Sequence, residues 1–226
     1  MSKTVFPNIE TAWCPGCGNH SILSALKEAL SILDKKPHEV LIVSGIGQAA
    51  KLPQYITTNG LSGLHGRGVP PAVAAKIVNN KLTVIVNSGD GDSYGEGGNH
   101  LIHNIRRNVD ITHFVHDNQV YGLTKGQASP TSDVGYITDI QPNGSSNIPF
   151  NPILLAIALG CGFVARAFSG NREHLIELML EGIRHKGYAL IDILQPCVSF
   201  NKLNTYQWYK ERVYKLGEEY DTGNKL

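Results

Sequence analysis

The residues best suited to chemistry in this chain are acidic residues set among glycines and a group of cysteines. Gly89-Asp90-Gly91-Asp92 follows an apolar run and leads through Tyr94-Gly95-Glu96-Gly97-Gly98 into a segment of helical spacing. Glycines let backbone N–H groups approach an anion, and a helix start adds favourable partial charge, so the segment suits a diphosphate. A bare carboxylate there would repel phosphate, which gives Asp90 a chemical reason only if a hard cation such as Mg2+ stands between them. Asn118, closing a later apolar run, offers a neutral oxygen to the same cation. The plainer alternative is that Asp90 caps a turn and Asn118 takes a left-handed turn position.

Cys14 and Cys17, in Trp13-Cys14-Pro15-Gly16-Cys17, are spaced so that both thiolates can face one metal centre. A redox dithiol of the thioredoxin kind needs a buried strand just before it, and Asn8-Ile9-Glu10-Thr11-Ala12 is not one. Cys197 follows Gln195-Pro196. Cys161, between an apolar helical segment and a strand, reads as a buried structural thiol, a weak candidate for the same centre. Gly45-Ile46-Gly47-Gln48-Ala49-Ala50 matches a dinucleotide fingerprint. Pro53 would interrupt the helix that this fingerprint requires, and no acidic residue lies between Glu39 and Asp90 to take a ribose hydroxyl.

The elements that must position these residues alternate along the chain. Runs rich in β-branched residues, at 39–44, 82–87, 111–116, 163–167 and 189–194, predict strands. Segments of helical spacing at 19–33, 71–78, 97–107, 152–159 and 172–185 lie between them. The pattern predicts an α/β fold with a mostly parallel sheet covered by helices on both faces, whose ligands bind at the carboxyl ends of the strands. The 226 residues, 42% of them hydrophobic, suit a single domain, with 201–226 as a terminal helical tail carrying Trp208, Tyr209 and Tyr214. Twenty dispersed Lys and Arg against 19 Asp and Glu leave a formal charge of +1, so no nucleic acid is expected as a partner. With neither a membrane-spanning run nor a secretory start, the expected setting is the cytoplasm, where paired cysteines more often bind metal than form disulfides.

Together these segments resemble one family. Gly89-Asp90-Gly91, followed by Asp117-Asn118-Gln119-Val120-Tyr121-Gly122-Leu123-Thr124-Lys125-Gly126-Gln127, is similar to the thiamine-diphosphate motif of 2-oxoacid:ferredoxin oxidoreductase β subunits. Trp13-Cys14-Pro15-Gly16-Cys17-Gly18, Ser44-Gly45-Ile46-Gly47, Leu64-His65-Gly66-Arg67, Gln195-Pro196-Cys197 and Asn204-Thr205-Tyr206-Gln207-Trp208-Tyr209 follow that family's order. The likeness runs from about residue 11 to 216.

The resemblance implies a thiamine-diphosphate-binding fold in which Asp90, Asn118 and the Val120 carbonyl hold Mg2+ against the cofactor. Gly47, His65, Gly89, Gly91, Asp92, Gly122 and Leu123 would contact the cofactor, with His65, Lys125 and Lys51 as candidate catalytic side chains. A surface charge is the bland reading of either lysine. The implied reaction is the oxidative decarboxylation of a 2-oxoacid, with the acyl group passed to coenzyme A and electrons to a four-iron cluster ([4Fe-4S]) and ferredoxin. An α subunit would supply the glutamate that activates the thiamine ring, in an αβ or α2β2 assembly. In the family the cluster is held by four cysteines. Here Cys14, Cys17 and Cys197 fill three places, and Gln48 stands at the third in order, where a hard neutral amide replaces a thiolate. An unusual fourth ligand, recruitment of Cys161 and loss of the cluster are the three outcomes. Loss would favour a non-oxidative thiamine-diphosphate decarboxylase. A binding or regulatory subunit without turnover is opposed by the intact Asp90, Asn118 and His65.

Overall fold

The computed structural model describes residues 5–217 and 219–223. Six strands form one sheet: β1 (Val40–Ser44), β2 (Asn59–Ser62), β3 (Thr83–Gly89), β4 (Ile111–Asp117), β5 (Phe163–Phe168) and β6 (Tyr188–Leu194). Their order is β2-β1-β3-β4-β6-β5, and every neighbouring pair is parallel. Successive side chains along a strand point to opposite faces, and both faces here are apolar. Ile42, Ile85, Phe114 and Ile191 face one core, while Val43, Val84, Val115 and Leu190 face the other.

Helices cover both faces, as buried parallel strands require. The first core is closed by α1 (Gly18–Ile32) and by α5 (Arg172–Arg184), through Ile22, Leu26, Leu30, Leu175 and Met179. The second is closed by α2 (Val69–Val78), α3 (Gly98–Arg107) and α4 (Pro152–Ala158), through Val69, Val73, Leu101, Ile105 and Ala156. Local chemistry sets several of the ends. Asn151 and Asn171 cap α4 and α5 by accepting from Leu154 N and His174 N at 3.0 and 3.3 Å. Asn108 ends α3 in a left-handed conformation, with φ 51°.

Three features depart from the sequence-based expectation. β2 was not anticipated, and all four of its residues are exposed at the sheet edge. The glycine-rich stretch after β3 is not an open loop: Gly91–Glu96 forms a turn of π-helix that leads almost directly into α3. Of the expected terminal helix the structure forms α6 (Tyr206–Lys210), which buries Tyr209; positions 218 and 224–226 lie outside the described residues. Pro53, expected to interrupt a helix, lies inside a short 3-10 helix, Ala49–Tyr55. No described helix is long and apolar enough to cross a membrane.

The chain leaves β1 for β2 on one side and β3 for β4 on the other, so the connections diverge between β1 and β3. Such a reversal opens a crevice beyond the carboxyl ends of the strands. Ser44 pairs with Asn87 and Gly89 with His116, which brings the ends of β1, β3 and β4 side by side.

Candidate functional site

The crevice at this reversal is a cleft of about 510 Å3, including space open to solvent. Its wall comes from the segments after β1 (Ile46 to Ala49), β2 (His65), β3 (Gly89 to Asp92) and β4 (Asn118, and Val120 to Thr124). Every residue expected to contact the cofactor lies on it: Gly47, His65, Gly89, Asp90, Gly91, Asp92, Asn118, Val120, Gly122 and Leu123. Lys51 and Lys125 do not line it, and Lys125 is exposed, with φ 82°.

Asp90 is buried at the end of β3. Its Oδ2 accepts from Ser129 Oγ at 2.5 Å and Thr131 Oγ1 at 2.7 Å. Burial pushes its carboxyl up to about 6, against the pull of those hydroxyls. Thr131 Oγ1 is also 2.7 Å from Asp117 Oδ1. One hydroxyl proton cannot be donated to both carboxylates at once, so Asp90 and Asp117 compete for the Thr131 hydroxyl. Asp117 is pushed well above the usual carboxylate range, by burial first and then by the charges of Asp192 and Asp90. Ser129 and Thr131 carry no local sequence signal. They return to β3 from a long connection, and only the tertiary path brings them there.

Asn118 Oδ1 accepts from Val120 N at 3.1 Å, while the left-handed residue is its neighbour Gln119, with φ 58°. The turn reading of Asn118 is therefore realised in part, and its amide still faces the cleft wall. A carboxylate, an amide oxygen and a backbone carbonyl are hard oxygen donors that fit Mg2+. Gly47, with φ 138°, has nothing within 4 Å of where a Cβ would stand, so its backbone is open to a bound group.

Asp92 fastens the cleft together. Its Oδ1 accepts from Ile46 N at 3.1 Å and Gly66 N at 2.7 Å, tying the segments after β1 and β2 to the π-helical turn. His65 Nε2 stands 3.7 Å from Asp92 Oδ1 and 3.5 Å from Glu96 Oε2. Tyr121, edge-on to the His65 ring, donates to the same Glu96 oxygen at 3.3 Å. Glu96 is thus a neighbour of the site that the sequence did not single out.

Cys14 and Cys17 lie at the start of α1, and the segment carrying Cys197 runs beside them. Gln195 Nε2 donates to Cys17 Sγ at 3.4 Å and Ser199 Oγ to Cys14 Sγ at 3.0 Å, so both flanks of Cys197 meet the Cys14–Cys17 loop. Burial raises the Cys17 thiol to about 11, with the nearby Cys197 and Cys14 adding to the shift. Among the described residues, no three His, Cys, Asp or Glu side chains converge as a site for one ion. Cys161 lies elsewhere, partly buried against the second core and donating to the Phe163 and Tyr188 carbonyls.

Residues 42–193 match the family described as thiamine pyrophosphate enzyme, C-terminal TPP binding domain, and residues 197–226 match the C-terminal family of the pyruvate ferredoxin oxidoreductase β chain. The chain is 49% identical over 209 residues to the 2-oxoacid:ferredoxin oxidoreductase subunit beta of Saccharolobus solfataricus, covering 92% of this chain and 68% of that protein. It is 43% identical to the 2-oxoglutarate oxidoreductase subunit KorB of Mycobacterium tuberculosis, covering 85% and 52%. A solved 2-oxoglutarate:ferredoxin oxidoreductase from Magnetococcus marinus, with 2-oxoglutarate, coenzyme A and succinyl-CoA bound, superposes with a TM-score of 0.96 at 35% identity, covering 99% of this chain and 77% of the other. The chain thus spans from about half to about three quarters of the length of these relatives.

Proposed function

This chain belongs to the β-subunit family of the 2-oxoacid:ferredoxin oxidoreductases, and from that premise we propose that it binds thiamine diphosphate with Mg2+ in the cleft beyond β1, β3 and β4. With an α subunit it carries out the coenzyme-A-dependent oxidative decarboxylation of a 2-oxoacid. The observation that carries this reading is the convergence of Asp90, Asn118 and Val120 with glycine backbone in one cleft, at the reversal of the strand order.

When bound, the cofactor supplies a carbon nucleophile for the keto group and a store for the electrons left by decarboxylation. This chain's own residues position it. Asp90, Asn118 and the Val120 carbonyl would hold the ion, whose charge would offset the repulsion between Asp90 and phosphate. The open backbone at Gly47 and the turn starting at Gly91 face the anionic end, where N–H groups favour negative charge. His65, beside Asp92 and Glu96, offers a ring N–H to the same region. No glutamate of this chain is assigned to the aminopyrimidine, so that group falls to the α subunit.

Cys14, Cys17 and Cys197 are the residues that would hold an iron–sulfur cluster, which would supply a path for electrons to ferredoxin. The protein then works as an αβ or α2β2 assembly in the cytoplasm. A non-oxidative decarboxylase is not favoured, since the matched relatives are named as oxidoreductases or synthases of that group.

Calorimetric titration of the purified complex with thiamine diphosphate tests the cleft directly. Tight binding that needs Mg2+, and that Asp90→Ala weakens at least tenfold, is expected. Binding indifferent to Mg2+ and to Asp90→Ala would sink the assignment. Reduction of a dye on adding 2-oxoacid and coenzyme A separates the oxidative reaction from simple CO2 release.

A further inference from the structure

The turn that carries Asn118 and Val120 is fastened carbonyl by carbonyl. The Asp117 carbonyl accepts from Gln195 N at 2.9 Å, that of Asn118 from Asn201 Nδ2 at 3.3 Å, and that of Gln119 from Ser132 Oγ at 2.6 Å. The next carbonyl, that of Val120, accepts no hydrogen bond among the described residues, and Val120 lines the cleft. Two of the three ties come from the segment 195–204, which follows β6.

Asn201 is the hub of that segment and is buried. Its Oδ1 accepts from Leu203 N at 3.1 Å and Asn204 N at 3.0 Å, which closes a local turn and fixes the orientation of the amide. Its Nδ2 is therefore the donor, to Asn204 Oδ1 at 2.8 Å and to the Asn118 carbonyl. Three of these four bonds stay within its own turn, and only the fourth reaches the cofactor side. The neighbouring Phe200 lies against the same stretch: a Cβ on Gly126 would meet its ring at 3.1 Å, and one on Gly122 at 4.0 Å. Asn204 donates to Asp133 Oδ2 at 3.2 Å, so the segment also holds the connection farther along.

We propose that Asn201 is a positioning residue for the cofactor's ion: by holding the Asn118 carbonyl it sets the direction of the Asn118 amide and of the open Val120 carbonyl. The proposal rests on the cofactor reading given above. Asn201 does not line the cleft, so it acts only through the turn. Oxygens already held in place bind without an ordering cost.

The test uses the complex with its partner subunit, as wild type, Asn201→Ala and Asn201→Ser. Serine keeps an oxygen for the N–H groups of the local turn but is too short to donate to Asn118. Calorimetric titration with thiamine diphosphate and Mg2+ should show both variants binding about three- to tenfold more weakly than the wild type, the scale of one hydrogen bond. Hydrogen exchange, read without cofactor, should be faster in Asn201→Ser at residues 118–127 and unchanged on α1 and α5. Asn201→Ala, which also opens the local turn, should melt lower. Asn201→Ser that binds as tightly as the wild type overturns the proposal. Weaker binding with unchanged exchange at 118–127 also overturns it, because the loss would not pass through the turn. Faster exchange spread over α1 and α5 would make Asn201 a general stabiliser and overturn it too. A wild type that binds no thiamine diphosphate with Mg2+ overturns the cleft reading, and this inference with it.

Discussion

The ring of Tyr121 fills the space in which a side chain at Gly91 would begin, with Tyr121 Cε1 2.0 Å from the position of a Cβ there. Gly91 is thus needed for close approach, its neighbour Tyr121 being part of the cleft wall. Gly91→Ala should displace the ring at a cost of about 1–3 kcal/mol, the usual range for overpacking. It should also weaken thiamine diphosphate at least tenfold. Adding Tyr121→Ala should restore much of the melting temperature without restoring affinity. A single variant that melts and binds like the wild type would remove the constraint.

Asp92 serves two N–H groups at once, that of Gly66 buried and that of Ile46 partly buried, and its loss leaves both unsatisfied. Each orphaned donor costs about 1–3 kcal/mol, so Asp92→Ala should lower stability by several kcal/mol in denaturant titration. Asp92→Asn keeps the accepting oxygen and should be milder. Gly45→Ala should mimic the defect, because its Cβ would stand 2.2 Å from the Asp92 carboxylate. Equal stability of Asp92→Ala and Asp92→Asn would mean that the two loops are fixed by something else.

His116 lies between Asn19 Oδ1 at 2.7 Å and Asn87 Oδ1 at 2.9 Å, fully buried. Asn87 is oriented by donating to the Ala49 carbonyl, so His116 carries its proton on Nε2 and the Asn19 amide must present its NH2 to Nδ1. Burial pushes His116 down to about 3, so the folded state keeps it neutral where the unfolded chain would protonate it. Its share of stability is present above the unfolded value of about 6.5 and is lost as pH falls from there toward about 3, at roughly 1.4 kcal/mol per unit. Asp90, with its raised carboxyl, acts in the opposite sense between about 4 and 6, so the informative quantity is a difference. His116→Gln should reduce the slope of stability against pH between 6 and 5, measured by chemical denaturation. An unchanged slope would show that the imidazole titrates normally.

The cysteines divide by location. Cys197→Ala should strip iron from the complex, while Cys161→Ala should keep full iron and lose only the modest stability of a packed thiol, near 1 kcal/mol. Iron quantitation and thermal melting of both variants check this. Iron loss in Cys161→Ala would place that thiol at the cluster after all.

Most of the architecture was legible in the sequence because buried parallel strands are written as β-branched runs. All five expected strands and all five expected helices form, with ends moved by one or two residues. β2 escaped because Asn59-Gly60-Leu61-Ser62 has no apolar run, and it is a strand only because the edge of β1 offers it a ladder. The π-helical turn escaped because glycines signal loops, whereas here they make room for Tyr121. At the site, motif residues could be named from spacing. Their partners Ser129, Thr131 and Glu96 could not, since a hydroxyl that travels back across the sheet leaves no mark beside the residue it meets. Lys51 and Lys125 show the converse: nearness to a motif in sequence did not carry them to the cleft lining.

The two hydroxyls on Asp90 also bear on the connection from 118 to 151, which contains neither strand nor helix. Ser129 and Thr131 bind that connection to Asp90, and Tyr136 ties it to the Phe200 carbonyl. Any ion that draws on Asp90 competes with or recruits those same hydroxyls, so occupancy of the site is transmitted to a surface segment. Proteases cut segments according to how often they open. The rate at which trypsin nicks this chain after Lys125 therefore becomes a gauge of the ion at Asp90, legible without any assay of turnover.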